Sequence, residues 1–520
     1  MSEAAETLAH HRGQLESGVS WAAAMLSTAQ REAFVLTHVR HVRGPVWFVR
    51  LMPPRHIQEG FGLAPEILVV VVRGEVQARD VQEAHAEVVR SGLRLDGNLS
   101  IVADMESSSL DQRLERIGGH GHRVAWKRQE DGSWPLLTTV LRASLPTFDA
   151  FEERDAVRGP QLVGRDAEVS DLRTRVVRGD AVALFGLRKM GKTSVMRAVT
   201  DWFDPASGLR DASSRVEAPA AGVAVVIDAS PIVDRTVDAV ADELLAALRR
   251  RMRAADEAMP PVQATGLRGW KSAGEALLDR DLRLCVVIDE FDLLFEGEGG
   301  ERSIPGIGRL FRLLRGWAQT RQGFLSLVLV GRDPTYLQTP EIDGVTSPLI
   351  AWCMPLWLKP LPAMKARELL HKLGRRVGLD VGPRSINVAL QWTGGHPLLH
   401  RQFGSALREA TRRHDIAWGA PTDPWIEQAV ARFQERDAVL AVMREVYALL
   451  HSRYPQALSL LVRWVQAARD ERTTSHEGSL GGAARVLKNF GIVDENDGVP
   501  LGLAWYLNTL APPLDLRPTG

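Results

Sequence analysis

Apolar residues in this chain fall into short continuous runs separated by amphipathic stretches, the alternation of a layered α/β protein. Runs at 46–51, 67–72, 99–103 and 123–127 predict strands, with helices over 81–90 and Leu110–Ile117. Together they outline a small N-terminal α/β domain over residues 1–150. The polar stretch 148–155, followed by Arg158-Gly159-Pro160, reads as a linker. Beyond it the runs at Ala181–Phe185, 223–227, 284–288, 324–330 and 355–358 are continuously apolar. Strands buried on both faces of a parallel sheet look like this. Helical periodicity at 363–373, 385–391 and 398–412 predicts a helical lid over about 351–420, after a core at 161–350. The last region, 424–520, is helical. Its end carries a helix at 483–490, a hairpin signal at 492–499 with an Asp-Gly turn, and a helix at 504–510, the outline of a winged helix.

The strand at Ala181–Phe185 runs into Gly186-Leu187-Arg188-Lys189-Met190-Gly191-Lys192-Thr193-Ser194 and then into a helical pattern. This is G-x-x-x-x-G-K-T in the context that gives it meaning: two glycines allow a tight loop whose amides converge on phosphate oxygens. The following helix adds the positive end of its dipole. Lys192 reaches the outer phosphates and the Thr193 hydroxyl suits a Mg²⁺ ion shared with them. A second apolar run, 284–288, ends in Asp289-Glu290. Asp289 is placed to hold Mg²⁺ and Glu290 to polarise the attacking water as a general base. A third, 327–330, delivers Gly331-Arg332-Asp333 to the same edge, where the Arg332 guanidinium is placed to read a γ-phosphate. The competing reading of Arg332 is a surface arginine paired with Asp333. Asp292 follows as a loop acid with no assigned role.

These motifs share a pattern. Leu162-Val163-Gly164-Arg165-Asp166 with Glu168 resembles the box that precedes the P-loop in STAND ATPases, including archaeal-type ATPases and NACHT- and NB-ARC-like cores related to AAA+ proteins. The P-loop is similar to that class's G-x-R-x-x-G-K-T-S form, and Thr393-Gly394-Gly395-His396-Pro397 resembles the G-x-P motif of its lid. The resemblance spans about residues 161–510. It implies that Val163 and Gly164 line an adenine site, that Pro397 touches base or ribose, and that Arg332 closes the sensor strand. In that class the two residues before this arginine are usually Thr and then Ser or Thr; here Val330-Gly331 stands there. The expected fold is a P-loop NTPase parallel sheet with helical lid and winged helix, plus the N-terminal α/β domain. The expected activity is slow, Mg²⁺-dependent ATP hydrolysis in a signalling switch, ADP-closed and ATP-open, in bacterial defence or regulation. A nucleotide-dependent homo-oligomer and a protein partner for the N-terminal module complete that expectation. The alternative is a DNA-binding AAA+ ATPase of initiator or transposition-regulator type.

Charge bears on that alternative. The 520 residues carry 64 Lys plus Arg and 64 Asp plus Glu, so no bulk positive charge draws the chain to nucleic acid. The recognition-helix candidate, 479–489, offers only Arg485 and Lys488, and the hairpin after it is acidic. Two cysteines, no signal-peptide pattern and no apolar run of membrane-spanning length lead to the expectation of a cytoplasmic protein without membrane contact. Eight of the 14 histidines precede residue 150, including His38, His41, His120 and His122, but lack metal-ligand spacing. Asp104 and Glu106 read as catalytic or as loop carboxylates. Arg309, Arg312 and Arg315, three apart on one helix, read as a solvated face or as an arginine finger offered to a neighbouring copy.

Overall fold

The computed structural model describes residues 3–90, 95–104, 110–117, 122–152, 156–157, 159–205, 216–254, 264–295, 303–412, 420–469, 481–494, 496 and 498–510. The chain forms two compact units. The first comprises residues 1–163, 363–390 and 399–436, the second residues 164–362, 391–398 and 437–520.

The first unit is built on a five-stranded sheet: β1 (Val35–Arg43), β2 (Val46–Met52), β3 (Glu66–Val72), β4 (Leu95–Asp104) and β5 (His122–Lys127), adjacent in that order. β1, β2 and β3 pair antiparallel, while β3, β4 and β5 pair parallel. In β3 the side chains of Ile67, Val69 and Val71 enter one core and those of Leu68, Val70 and Val72 the other. A strand sandwiched this way needs apolar residues at every position, which is why its sequence does not alternate. Helices Glu3–Gly18, Ala22–Arg31 and Leu137–Ser144 cover the first face with Leu15, Met25, Leu26, Leu137 and Leu141. Helices Ala78–Arg90 and Leu110–Ile117 cover the second with Val81, Ala84, Leu110 and Leu114. β1 was not predicted. It is an edge strand with only Val39 buried, so its apolar alternation is diluted by His38, Arg40, His41 and Arg43.

Those polar residues have local partners. Arg40 and Arg50 both pair with the buried Glu87, Arg50 at 2.6 Å, and Arg43 pairs with the buried Asp80 at 2.7 Å. His41 Nε2 lies 2.8 Å from the Gly44 carbonyl, and burial, with Arg50 beside it, holds His38 below the usual histidine pKa. His120 and Glu106 lie outside the described residues. Asp104 is buried at the end of β4. Among the described residues no group of three or more His, Cys, Asp or Glu is placed to hold a metal ion.

The expected linker at 148–155 is instead, in its described part, core. Phe151 is fully buried beneath Gly404, where a Cβ would stand 2.3 Å from the ring. Three side chains of the helix Pro397–Arg412 bind this segment. Arg401 donates to the Ala150 carbonyl, Ser405 to Asp149, and Arg408 to the Pro146 carbonyl at 2.7 Å. Spacings of four and three place all three on one helical face. Arg376 of the helix Ala363–Arg376 pairs with Asp96, both buried. These contacts lie within the first unit, to which 363–390 and 399–436 belong, so the lid expected over 351–420 is divided between the two units.

Two histidines of this unit are held neutral, His400 buried and His122 half-buried. Burial first, then the Arg376 charge, pushes His122 down to about 4; burial likewise holds His400 at about 4, against its bond to the Ala366 carbonyl. Free histidine near 6.5 binds protons in the unfolded chain that the folded one refuses, so this stability is complete above pH 6.5 and drains away toward pH 4. Each site is worth about 3 kcal/mol at most by that linkage. The melting temperature should therefore fall between pH 7 and pH 5, and His400→Gln should flatten the slope by about one proton. An unchanged slope in that variant would remove His400 from the account.

The second unit contains a five-stranded, all-parallel sheet. Its strands are β6 (Ala181–Phe185), β7 (Gly222–Asp228), β8 (Arg283–Asp289), β9 (Leu325–Gly331) and, after a small hairpin β10 (Glu341–Ile342) and β11 (Val345–Thr346), β12 (Cys353–Trp357). The sheet order is β12-β6-β9-β8-β7, a P-loop NTPase sheet with crossover helices, and Ala183, Phe185, Val286, Ile288 and Leu329 enter the apolar core on one of its faces. β6 matches its expected bounds and the others differ by one or two residues. Cys285 on β8 and Cys353 on β12 are buried, and burial pushes both thiols up to about 12. The unit continues through helices Asp437–Arg453, Pro455–Arg469, Gly481–Phe490 and Leu501–Thr509.

The hairpin expected at 492–499 is not formed among the described residues. Asp494 Oδ1 accepts the amides of Asn496 (2.8 Å) and Gly498 (2.7 Å), and the Asp494 amide donates to the Gly498 carbonyl. The side chain has taken amides that a strand ladder would need, converting an Asp-Gly hairpin signal into a closed turn. Glu495 and Asp497 of the acidic hairpin, and Ser479 and Leu480 of the recognition-helix candidate, lie outside the described residues. No helix among the described residues is long and apolar enough to cross a membrane.

Candidate nucleotide site

Three C-terminal strand ends, those of β6, β9 and β8, stand side by side in the sheet and carry the three motifs. β6 is flanked by two later strands, so the loop leaving it sits at the point where connections diverge, the usual ligand crevice of such sheets. From β6 the chain makes the loop 186–191 and enters the helix Lys192–Phe203. Gly191, at φ +95°, supplies the left-handed turn at the helix N-terminus, and Gly186 lies so close to Leu358 that a Cβ would stand 2.9 Å from its carbonyl. Lys192 Nζ donates to the carbonyls of Gly186 (2.8 Å) and Leu187 (3.1 Å), using two of its three N–H groups. Burial lowers its pKa, while Glu290, Asp289, Asp292 and Glu445 oppose that shift.

The Thr193 hydroxyl donates to Asp289 Oδ2 at 3.2 Å, joining the helix start to the end of β8. Burial raises the Asp289 pKa, although its Oδ1 accepts the Glu290 amide at 3.0 Å. A hydroxyl and a carboxylate facing each other are two hard oxygens on one side of an octahedron. Phosphate oxygens and water would have to complete it, which is how Mg²⁺ is held beside nucleotides, so the donor set fits that ion. Glu290 adopts φ +50°, a strained conformation for a non-glycine residue, and this turns its carboxylate toward Arg332 Nε, 3.6 Å away. Ser194 is buried in the first turn of the helix.

Arg332 does not pair with Asp333. Its guanidinium, 43% exposed, lies between Glu290 and Glu445, while Asp333 accepts from Thr335 and from Tyr454 Oη at 2.9 Å. Asp292 is a structural brace: its Oδ2 accepts the Arg332 amide at 2.6 Å, and burial pushes its carboxyl up to about 7. Asp292 also accounts for the glycine before Arg332. A Cβ on Gly331 would stand 2.5 Å from both Asp292 Oδ1 and the Phe291 ring, so no Ser or Thr fits there.

Two bracing residues escaped the sequence reading. Arg165 is buried and donates to the Met190 carbonyl (2.9 Å), the Lys359 carbonyl (2.8 Å) and Glu168 (2.8 Å), tying the P-loop to the chain after β12. His396 is buried, held neutral at about 4 mainly by burial, and places Nε2 3.1 Å from the Arg188 carbonyl. Both stand inside motifs quoted for other residues, which is the signal that was available. Pro397, half-buried, opens the helix Pro397–Arg412; Val163, whose amide donates to Gln161, closes the first unit, and Gly164 opens the second. Arg309 and Arg312 are exposed and Arg315 half-buried on the helix Ile307–Thr320.

No family model matches the chain, and no curated protein matches it. Solved structures are similar to it at low identity. The Walker-type ATPase PABY2304 of Pyrococcus abyssi is 20% identical, with a TM-score of 0.45 over 69% of this chain and 99% of that one. The Aeropyrum pernix ORC2 protein, in ADPNP–ADP complexes, is 14% identical, with a TM-score of 0.41 over 69% and 88%. The Aeropyrum pernix ORC1 protein in complex with DNA is 18% identical, with a TM-score of 0.34 over 70% and 95%.

Proposed function

We propose that this chain is an AAA+-related P-loop ATPase that binds ATP and ADP with Mg²⁺ and passes the state of the nucleotide to its C-terminal helices. The observation that carries this reading is the meeting of Lys192, Thr193, Asp289 and Glu290 at one sheet edge, with Arg332 reaching from that edge to Glu445 of the helix Asp437–Arg453. Lys192 and the loop amides hold the phosphates, and Thr193 and Asp289 hold the ion, which neutralises phosphate charge when bound. Glu290 accepts a proton from the attacking water, and Arg332 distinguishes a triphosphate from a diphosphate. Val163, Gly164 and Pro397 are assigned to the base and ribose by resemblance alone. In this reading the chain is a switch of STAND type, and assembly follows ATP.

Size-exclusion chromatography with light scattering tests it. The ADP form should elute as one species, and a non-hydrolysable ATP analogue should shift shape or mass. Identical profiles, with both nucleotides bound, would remove the switch and leave an ATPase. The DNA-binding reading keeps its place because Arg485 is exposed on the helix Gly481–Phe490, beside Lys488. Salt-dependent retention of duplex DNA, lost in Arg485→Ala, would put that reading first.

A further inference from the structure

The helix Asp437–Arg453 brings a carboxylate to the arginines that face the nucleotide edge. Glu445 Oε1 lies 3.5 Å from Arg332 Nη1, and its Oε2 lies 3.8 Å from Arg188 Nη1 of the P-loop. Glu445 is also one of the carboxylates whose field reaches Lys192. A cavity of about 360 Å³ opens here, lined by Arg188, Arg332, Tyr336, Glu445 and Arg453 among others. The C-terminal end of the helix is fastened separately. Tyr454 Oη donates to Asp333, Arg453 Nε stands 3.6 Å from the same carboxylate, and Arg453 Nη2 donates to Tyr336 Oη at 3.2 Å.

An oxygen pair bridging two guanidiniums presents the charge and geometry that one edge of a phosphoryl group presents. We propose that Glu445 is an internal substitute for the γ-phosphate: it holds the helix Asp437–Arg453 on the P-loop edge until a triphosphate takes Arg188 and Arg332 from it. This rests on the nucleotide reading above and names the residue that executes it. The separations suit a latch that must yield. Neither ion pair reaches hydrogen-bond length, and pairs open to water are weak. A phosphoryl group brings more charge and repels Glu445 as it binds. ADP lacks that group and leaves the latch closed. The Tyr454–Asp333 bond involves neither arginine side chain, so the helix turns about that end and stays attached.

The latch taxes ATP and not ADP, because only ATP must open it. Isothermal titration of the full chain with Mg-ADP and with a non-hydrolysable Mg-ATP analogue measures that asymmetry. Glu445→Gln keeps the shape and removes the charge; affinity for the analogue should rise about tenfold, with ADP affinity unchanged within about twofold. Tyr454→Phe loosens the other end without touching charge and should keep the parent's ratio of the two affinities. An unchanged ratio in Glu445→Gln, equal changes for both nucleotides, or the same ratio change in Tyr454→Phe would overturn the proposal. Binding of neither nucleotide by the parent would remove the nucleotide reading and this proposal with it.

Discussion

Replacing Lys192 by methionine should cost about ten- to a hundredfold in ATP affinity while leaving the fold intact. A charge-assisted contact to phosphate is worth about 1.5–3 kcal/mol, and each 1.4 kcal/mol is a factor of ten. The two outcomes separate because of where Lys192 sits. Its ammonium is buried, and burial disfavours its charge. Methionine fills similar volume, giving up bonds to the Gly186 and Leu187 carbonyls while removing a buried charge. These effects oppose each other, so the melting temperature without nucleotide should move by only a few degrees. With ATP at about a thousand times the parent's Kd, the parent gains about 4 kcal/mol of stability and the variant only about 1.4–2.7 kcal/mol. Thermal melts with and without Mg-ATP read both effects. A variant stabilised as strongly as the parent would mean that phosphates do not sit on this loop.

Glu290→Gln should stop turnover without stopping binding. A positioned general base contributes about 10²–10⁴ in rate, and a glutamine amide cannot accept the proton. Phosphate release should fall by at least about a hundredfold, with ATP affinity equal to the parent's or higher. The local geometry makes the variant informative. Glu290 holds a left-handed backbone conformation that glutamine also adopts at a cost, and its carboxylate faces Arg332 at 3.6 Å without a close bond. Removing the charge therefore disturbs little packing. Release within about threefold of the parent would take the base role away from Glu290, since such a factor is far below what a general base supplies.

What the sequence disclosed follows the reach of each interaction. β6, the turn at 186–191 and the strand end at Asp289-Glu290 were legible because glycine spacing is a local signal and strands buried on both faces advertise themselves as apolar runs. β1 was not legible, because an edge strand with one buried side chain leaves its pattern to charged residues. Phe151 and the segment beside it read as a linker because their partners, Gly404, Arg401, Ser405 and Arg408, lie some 250 positions away. Asp494 defeated the hairpin signal by a competing local bond. Arg165 and His396 show the same limit at the site: each braces a P-loop carbonyl that becomes a target only when the chain folds. The glycine before Arg332 looked like a departure from a pattern and is a steric requirement of Asp292.

The two cysteines have an experimental consequence. Cys285 and Cys353 are buried and stay protonated, whereas electrophiles attack only the thiolate. The native sulfurs are therefore silent toward alkylating probes. A single cysteine placed on the solvent side of the helix Asp437–Arg453 becomes the molecule's one addressable handle, and a fluorophore on it follows that helix through a catalytic cycle without mutating anything else.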